Sequence, residues 1–178
     1  MEENYAYVKT QLDVESFADW MIYEAYVSDI DIYGNVRYYR SPEDGLWRMG
    51  LADLDLGMMG RTQAFEEVYG TFHHSRLVQS LVSNAEFRDL LATRLATLLA
   101  GPLSDENMVA AIEEIAAIIR QEAVWEEQRW GTPVSGWESA VDYMIRFCDG
   151  RGEEMINSLC YVLNLDKEQR EFYFGDLE

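Results

Sequence analysis

The stretch SDIDIYGNVRYYRSPEDGLWRMGLADLDLGMMG (residues 28–60) is the least helical part of the chain, and the rest is organised around it. Two runs in it, Val36–Arg40 and Leu46–Leu51, are rich in Tyr, Trp and branched residues. The SPEDG between them contains Pro and then Gly, which favours a turn, so we predict a β-hairpin with a five-residue connection. Grouped polar residues flank this hairpin: Asp29, Asp31 and Asn35 before it, and Asp53 and Asp55 after it.

Amphipathic helices are predicted on both sides of this segment. Asp13 can cap a helix whose apolar residues recur every three or four positions up to Val27. Residues 1–12 are predicted to be loose, and 58–71 to form a loop. Later helices are predicted to begin at about Ser75 and after a capping-box spacing at Ser83 and Glu86. A further helix is predicted from Ser104 or Asp105 to about Arg129. The last helical region is predicted from Trp137 to Leu163, with a break near Gly150 and Gly152. The expected fold is one domain over residues 1–178, mainly α with one β-hairpin.

Composition limits the classes of partner. The 178 residues carry a formal charge of −19, which argues against nucleic acid and anionic membrane as partners. No run of about 18 apolar residues predicts a membrane span, and the polar, acidic N-terminus does not resemble a signal peptide. The two cysteines, Cys148 and Cys160, fall within helical patterns and are predicted to be buried thiols rather than a disulfide or metal site.

The flanking polar residues suggest phosphate chemistry. Asp31 and Asn35 stand four residues apart, and Asp55 follows Asp31 by 24 residues, just before Leu56 and Gly57. Phosphoryl transfer from a nucleotide needs a carboxylate that orients the attacking hydroxyl, and a carboxylate and an amide oxygen that hold Mg²⁺. Gly57 would let the backbone turn sharply beside the metal. The same residues also fit a structural interpretation, with a turn at Asp31–Asn35 and exposed charges at the end of a strand, where alternation puts Asp53 and Asp55 on one face.

Two segments, YVSDIDIYGNVRYYR (26–40) and DGLWRMGLADLDLGM (44–58), resemble the CotH-type kinase family of atypical protein kinases, which are similar to spore coat protein H. The resemblance continues weakly through SLVSNAEFRDLLATRLATLL (80–99) and RFCDGRGEEMINSL (146–159). It implies the C-lobe of a kinase-like fold, with ATP and Mg²⁺ as cofactors and a protein hydroxyl as the phosphate acceptor. By this resemblance Asp31 matches the catalytic aspartate, Asn35 and Asp55 match the metal ligands, and Asp53 matches a supporting aspartate.

The chain departs from the family pattern in two places. Asp29 stands where members usually carry Asn. Members also have a nucleotide-binding N-lobe upstream, but here only about thirty residues precede Asp31, and Lys9, the sole lysine among them, lies in no Gly-rich loop. No nucleotide lysine is identified, and we expect a C-lobe without its N-lobe.

The expected partners are therefore a protein substrate or the missing N-lobe. Self-association is also expected, through an exposed apolar surface around Asp31, Tyr33 and Met58–Met59. Two alternatives stay open: a non-catalytic helical interaction module, or inactive remnant, whose aspartates are structural, and a domain that only binds divalent cations. The resemblance allows a bacterial spore-coat or cell-surface setting, between which the sequence does not decide.

Other conspicuous residues have structural interpretations. His73 and His74 are predicted to lie at a helix start or in a loop rather than to bind metal, because adjacent helical residues point about 100° apart. The hairpin aromatics are predicted to pack across strands, and Arg37, Arg40 and Arg48 to pair with nearby aspartates. Packing between helices is predicted for Trp125, Trp130 and Trp137.

Overall fold

A computed structural model describes residues 2–60 and 64–177. Its helices are α1 (Glu2–Lys9), α2 (Val14–Val27), α3 (Phe65–Thr71), α4 (Arg76–Val82), α5 (Ala85–Leu99), α6 (Asp105–Trp130), α7 (Val134–Cys148), α8 (Arg151–Leu163) and α9 (Lys167–Phe174). Two strands, β1 (Arg37–Arg40) and β2 (Trp47–Gly50), form an antiparallel sheet. The prediction of a mainly α fold with one β-hairpin is confirmed.

Helix α2 runs through the hydrophobic core. Its N-cap is Asp13, whose side chain accepts a hydrogen bond from the Ser16 backbone N–H, as predicted. The helix packs against α5, α3, α8 and the hairpin. Burial of its large apolar side chains contributes about 1.5–3 kcal/mol each. Those side chains are Phe17, Trp20, Met21, Ile22 and Tyr26.

The hairpin has a regular register, with Arg37 opposite Gly50 and Arg40 opposite Trp47. The rings of Tyr38 and Trp47 meet edge to face with centroids 5.6 Å apart, which confirms packing across the strands. Strand β2 is attached to the start of α2, because the Trp47 carbonyl accepts from the backbone N–H of Asp13. The hairpin is thereby fixed to the helix that precedes the predicted site.

The prediction of arginine–aspartate pairing holds for one of the three hairpin arginines. Arg48 forms ion pairs with Asp13 and Asp44, and these neighbours raise the pKa of the guanidinium. Arg40 instead donates to the Gly45 carbonyl, and Arg37 donates to backbone carbonyls of the preceding turn. For Arg40 and Arg37 the bonds that the structure describes therefore end on the backbone rather than on aspartates.

Two segments expected to lack structure are helical. Residues 2–9 form α1, held by the burial of Tyr5, and residues 65–71 form α3, held by the burial of Phe65 and Val68. Tertiary packing outweighs weak local signals in both cases. The N-cap of α5 is Asn84, whose side chain accepts from the Phe87 N–H, so the predicted capping box at Ser83 is wrong.

Helices α6 and α7 pack mainly on each other. Helix α6 begins after the N-cap Ser104 and ends at Trp130 with Gly131 as its C-cap, close to the prediction. The apolar spacing in the sequence predicts that Ile112, Ile115 and Ile119 all face inward. This prediction is wrong in part, because Ile112 is buried while Ile115 and Ile119 are 59% and 42% exposed. Trp125 and Trp130 are also exposed, at 57% and 66%, and so do not pack between helices as expected.

The predicted last helical region is divided at the expected place. Helix α7 ends at Cys148 and α8 begins at Arg151, with Gly150 in the left-handed conformation at the break. Cys148 is buried, Cys160 is half-buried, and no disulfide joins them. Across residues 2–60 and 64–177, none of the helices combines the length and apolar character that a membrane crossing requires.

Candidate active site

The site begins where α2 ends. Arg151 of α8 is completely buried and donates from Nε to the Tyr26 carbonyl at 2.9 Å and from Nη2 to the Ala25 carbonyl at 2.6 Å. Its Nη2 also donates to the Ser28 hydroxyl at 2.7 Å, and Ser28 lies in the left-handed conformation. The last carbonyls of a helix have no partner within the helix, and here one guanidinium satisfies two of them. Arg151 therefore determines where α2 stops and where the next residues start.

Asp29 and Asp31 follow as a pair of buried and half-buried carboxylates. Asp29 is 2% exposed, and its Oδ1 accepts from the backbone N–H of Asp31 at 3.4 Å. Within the described residues, Asp29 Oδ2 and Asp31 Oδ1 are buried and meet no hydrogen-bond donor. Burial is the main cause that raises the pKa of Asp29, and the carboxylates of Asp31 and Asp55 raise it further. Carboxylates from both sides of the hairpin therefore act on one another.

Glu24 is a further member of this acidic group that the sequence analysis did not identify. It is 1% exposed, and its Oε1 accepts from Trp20 Nε1 at 2.9 Å, while its Oε2 has no donor among the described residues. Burial raises the pKa of Glu24 to about 7, and the charges of Asp29 and Asp31 add to the effect. A signal existed, because Glu24 interrupts the otherwise apolar inner face of α2.

The turn from Asp31 to Asn35 does not use the Asp31 carboxylate. Residues 32–34 form a short 3₁₀ turn, and the backbone N–H of Asn35 closes it on the Ile32 carbonyl at 3.1 Å. The Asp31 side chain accepts no capping hydrogen bond from the backbone of this turn. Asn35 is 9% exposed. The simple turn interpretation thus explains the backbone here and leaves the Asp31 carboxylate available.

After the hairpin the chain does not continue as a strand. Strand β2 ends at Gly50, Asp53 adopts the left-handed conformation (φ 58°), and Asp55 lies in a 3₁₀ turn over residues 54–56. The prediction that Asp53 and Asp55 share a strand face is therefore wrong. Both side chains are exposed, and Asp55 raises the pKa of Asp29. Asp55 therefore lies near enough to Asp29 to act on it electrostatically, and Asp53 directly precedes the turn that carries Asp55.

Gly57 is needed for close packing rather than for a sharp turn. Its φ of −74° is ordinary, but a Cβ would lie 3.0 Å from the Leu54 carbonyl oxygen and 3.2 Å from Val27 Cβ. The left-handed residue is Met58 (φ 56°), whose backbone N–H donates to the Val27 carbonyl at 2.6 Å. The predicted role of Gly57 is corrected accordingly. The loop after Asp55 is fixed to the end of α2, the same end that Arg151 holds.

The surface around the site is apolar in part, as expected. Tyr33 and Met59 are 75% and 61% exposed, and Ile30 is 54% exposed. Met58 differs from the expectation, because it is buried in the contact with α2. Tyr143 of α7 donates its hydroxyl to the Met59 carbonyl at 3.0 Å, so α7 supports the outer side of this loop.

The oxygen atoms present suit a hard divalent cation. Mg²⁺ is held by one or two carboxylates together with waters and substrate phosphates, so it does not need a cage of protein ligands. Asp31 and Asp29 offer buried oxygens without donors, and Asp55 lies close enough to affect them. Among residues 2–60 and 64–177, no three His, Cys, Asp or Glu side chains assemble into a metal cluster, so His73 and His74 belong to no such cluster there.

Lys9 does not face this site. Its Nζ lies 2.5 Å from Glu86 Oε1 and 4.9 Å from the centre of the Tyr5 ring. The lysine is thus engaged in joining α1 to α5.

Comparison with known proteins gives one finding that bears on this geometry. A family model described as CotH kinase protein matches residues 1–155, from the N-terminus through the first residues of α8. The match includes every candidate residue from Glu24 to Gly57, and also Arg151. No curated protein and no solved structure matches the chain.

Proposed function

Because the chain belongs to the CotH kinase protein family, we propose that residues 28–60 form the phosphate-transfer site of an ATP-dependent protein kinase. Family membership implies kinase activity. The observation that carries the finer proposal is the pair of Asp29 and Asp31 at the end of α2, whose buried carboxylate oxygens meet no donor in the described structure, with exposed Asp55 near enough to raise the pKa of Asp29.

Each residue has a defined role in this proposal. Asp31 accepts or orients the proton of the attacking hydroxyl, which is a task for a carboxylate that structural hydrogen bonds leave unused. Asn35 and Asp55 supply oxygen ligands for Mg²⁺, with Asp53 in a supporting position. When bound, Mg²⁺ neutralises negative charge on the phosphates. Gly57 keeps the Asp55 loop against Val27, so that this carboxylate stays near enough to act on Asp29.

The kinase-like C-lobe is part of the same proposal. A helix, an Asp–Asn turn, a hairpin and an Asp-x-Gly loop occur here in the chain order that protein kinases use. Lys9 is paired with Glu86, so this proposal assigns the remaining ATP contacts to an N-lobe, supplied by a longer chain or by a partner. The acceptor is a hydroxyl on a protein substrate.

Titration calorimetry with ATP and Mg²⁺ tests the assignment of Asp55. We expect binding to the wild-type chain that is lost in Asp55→Ala and kept in the control Asp142→Asn, which changes an exposed carboxylate on α7. Asp31→Asn should keep nucleotide binding and lose phosphate transfer in a preparation that includes the N-lobe. Equal affinity of the wild-type and Asp55→Ala chains would contradict the metal assignment.

The alternative, a non-catalytic interaction module with structural aspartates, is favoured by the exposed side chains of α6, including Ile115, Ile118 and Trp125. Stability measurements separate the two functions. If Asp31 is a structural residue, Asp31→Asn lowers the free energy of unfolding. If Asp31 belongs to an active site, its repulsion by Asp29 is relieved and Asp31→Asn raises the free energy of unfolding.

A further inference from the structure

Helix α6 turns one side toward α7 and leaves the opposite side exposed. Ala116, Ala117 and Arg120 border the space between the two helices, and Arg120 forms an ion pair with Glu138 of α7. Successive residues of a helix point about 100° apart, so residues 115, 118, 122 and 125 lie on the opposite side of α6 from these three. Because α6 packs mainly on α7, this opposite side is left without a neighbouring helix in the part of the chain that the structure describes.

The exposed side of α6 has the residue spacing of a coiled coil. Its residues alternate by four and by three positions, which is the spacing of the a and d positions of a heptad repeat. All of them are exposed, Ile118 at 70%. From residue 111 to residue 125 the row is about 21 Å long, and grouped exposed apolar side chains of this kind mark interaction sites. We name this row the α6 seam, which consists of Ala111, Ile115, Ile118, Glu122, Trp125 and Arg129.

The charges beside the α6 seam are acidic. Glu114 and Glu126 occupy flanking positions, g and e of the heptad, and both are exposed. The whole of α6 contains seven Asp and Glu residues but two Arg residues. Of those two, Arg120 is paired on the α7 side, and Arg129 lies over the Trp130 ring with its Cζ 4.8 Å from the ring centre. Charges at flanking positions select the partner of a coiled coil, so this seam favours a helix that carries Lys or Arg there.

Glu122 lies in the middle of the α6 seam, where a docked partner would bury it. A carboxylate that is buried without a cation is costly. Two parallel copies of the seam would place Glu122 against Glu122, and two antiparallel copies with Ile115 opposite Trp125 would place Glu114 opposite Glu126. A partner that places Lys or Arg opposite Glu122 removes this cost, so the seam fits a basic helix better than a second copy of itself.

We propose that the α6 seam docks a basic amphipathic helix of a partner protein. This helix has apolar residues at its own a and d positions, Lys or Arg beside them, and one Lys or Arg opposite Glu122. A helix is the occupant because a heptad row presents holes that side chains at the same spacing fill. The seam supplies no residue to the proposed transfer site, so this docking does not depend on the proposed function.

Fluorescence anisotropy tests the proposal with the full chain and a fluorescein-labelled synthetic helix of four heptads. This peptide has Leu at its a and d positions, Lys at its e and g positions, and Lys in place of Leu at one central a position. Its flanking lysines repel one another, which keeps the peptide from pairing with itself. We expect saturable binding that falls about tenfold in Ile118→Gln and in Trp125→Ala. The control Phe172→Ala, which removes an 80% exposed ring on α9, should leave binding unaltered.

A second peptide, with Leu instead of the central Lys, tests the role of Glu122. The wild-type chain should bind the peptide with the central Lys more tightly, and Glu122→Leu should reverse this preference. Glu122→Gln should weaken binding of the central-Lys peptide more than Glu127→Gln does, because Glu127 lies on α6 outside the seam and its change removes the same charge. Higher salt should weaken binding of both peptides.

Three results would overturn the docking site: no saturable binding of the central-Lys peptide, equal binding of a peptide with the same composition in scrambled order, or unchanged affinity in both Ile118→Gln and Trp125→Ala. Both of these side chains are exposed, so either variant remains informative if the other disturbs the fold. A dimer of the chain alone in sedimentation that Ile118→Gln dissociates would also overturn it, because a second copy would then be the occupant. Asp55→Ala should bind the peptide as the wild type does, so its effect on ATP binding tests the proposed function separately.

Discussion

Replacement of Arg151 should destabilise the protein more than any change to a surface arginine. Its guanidinium is buried and donates to two carbonyls of α2, to Ser28 and to Glu154 at 2.9 Å. In Arg151→Met the carbonyls of Ala25 and Tyr26 lose this donor in a buried place. The loss of buried charge-assisted bonds of this kind costs about 3–5 kcal/mol. For a chain of this length that corresponds to a fall in Tm of about 10 °C.

Arg151→Lys separates charge from geometry. An ammonium keeps the positive charge but lacks the planar fork that reaches both carbonyls and Ser28 at once. We expect a loss of stability between those of the wild-type and Arg151→Met chains. Hydrogen exchange should report the local consequence, since amides from Ser28 to Asn35 should exchange faster in both variants while those of α6 stay unchanged.

Arg94→Met is the matched control, because Arg94 also binds to α2. It pairs with Asp19 at 2.7 Å and Glu15 at 3.2 Å, but its side chain is 25% exposed. Exposed ion pairs contribute about 1 kcal/mol or less. Urea unfolding followed by circular dichroism gives both values. The positioning role of Arg151 would be refuted if Arg151→Met lowered the free energy of unfolding no more than Arg94→Met does. Unchanged hydrogen exchange at residues 28–35 in Arg151→Met would refute it as well.

Three further predictions concern the same end of α2. The pKa of Glu24 rises from 4.5 to about 7 on folding, so ionising Glu24 opposes the folded state, and the free energy of unfolding should fall by about 3 kcal/mol as pH rises from about 4.5 to about 7. Glu24→Gln should abolish this fall in urea titrations. The prediction would be contradicted if the free energy of unfolding had the same pH dependence in the wild-type and Glu24→Gln chains. Gly57→Ala should lower the free energy of unfolding by about 1–3 kcal/mol, because the added Cβ crowds Val27. In thermal unfolding, Gly34→Ala should be nearly neutral by comparison, because a Cβ there meets nothing within 4 Å. Asp31→Asn should raise Tm, and a decrease would favour a structural role.

Sequence reasoning identified the elements whose signals are local. The cap at Asp13, the periodicity of α2 and the Pro–Gly connection of the hairpin each depend on neighbouring residues, and each is confirmed. Helix α1 was missed because its support, the burial of Tyr5, is tertiary. The inward face of α6 was wrong at Ile115 because periodicity identifies an apolar face but not whether a partner covers it.

The candidate site shows the same division. The resemblance pointed to Asp31, Asn35 and Asp55 because their order along the chain is a local pattern. Arg151 could not be assigned in advance, since its partner Ser28 is 123 residues away. A sharp turn was expected at Gly57, whereas the left-handed conformation occurs at Met58, whose backbone N–H is bonded to the Val27 carbonyl of α2.

The two halves of the site meet because both are fixed to one helix end. The carbonyls of Ala25 and Tyr26 hold Arg151, and the next carbonyl, that of Val27, holds Met58. These anchors keep carboxylates together that would otherwise repel one another, so the site holds an electrostatic strain that a cation would relieve. Folding stability should therefore depend on Mg²⁺ even without nucleotide.

This last expectation follows from linkage between binding and folding. A ligand that binds only the folded chain stabilises it by about 1.4 kcal/mol at ten times its dissociation constant. Thermal unfolding in increasing Mg²⁺ should raise the Tm of the wild-type chain, and the rise should be smaller in Asp31→Asn and Asp55→Ala than in Asp142→Asn. The control carries the same change in net charge as Asp31→Asn, so general screening of a −19 chain cancels in that comparison. An equal rise of Tm in all four proteins would mean that these carboxylates hold no cation. That result would also contradict the role of Asp55 as a metal ligand.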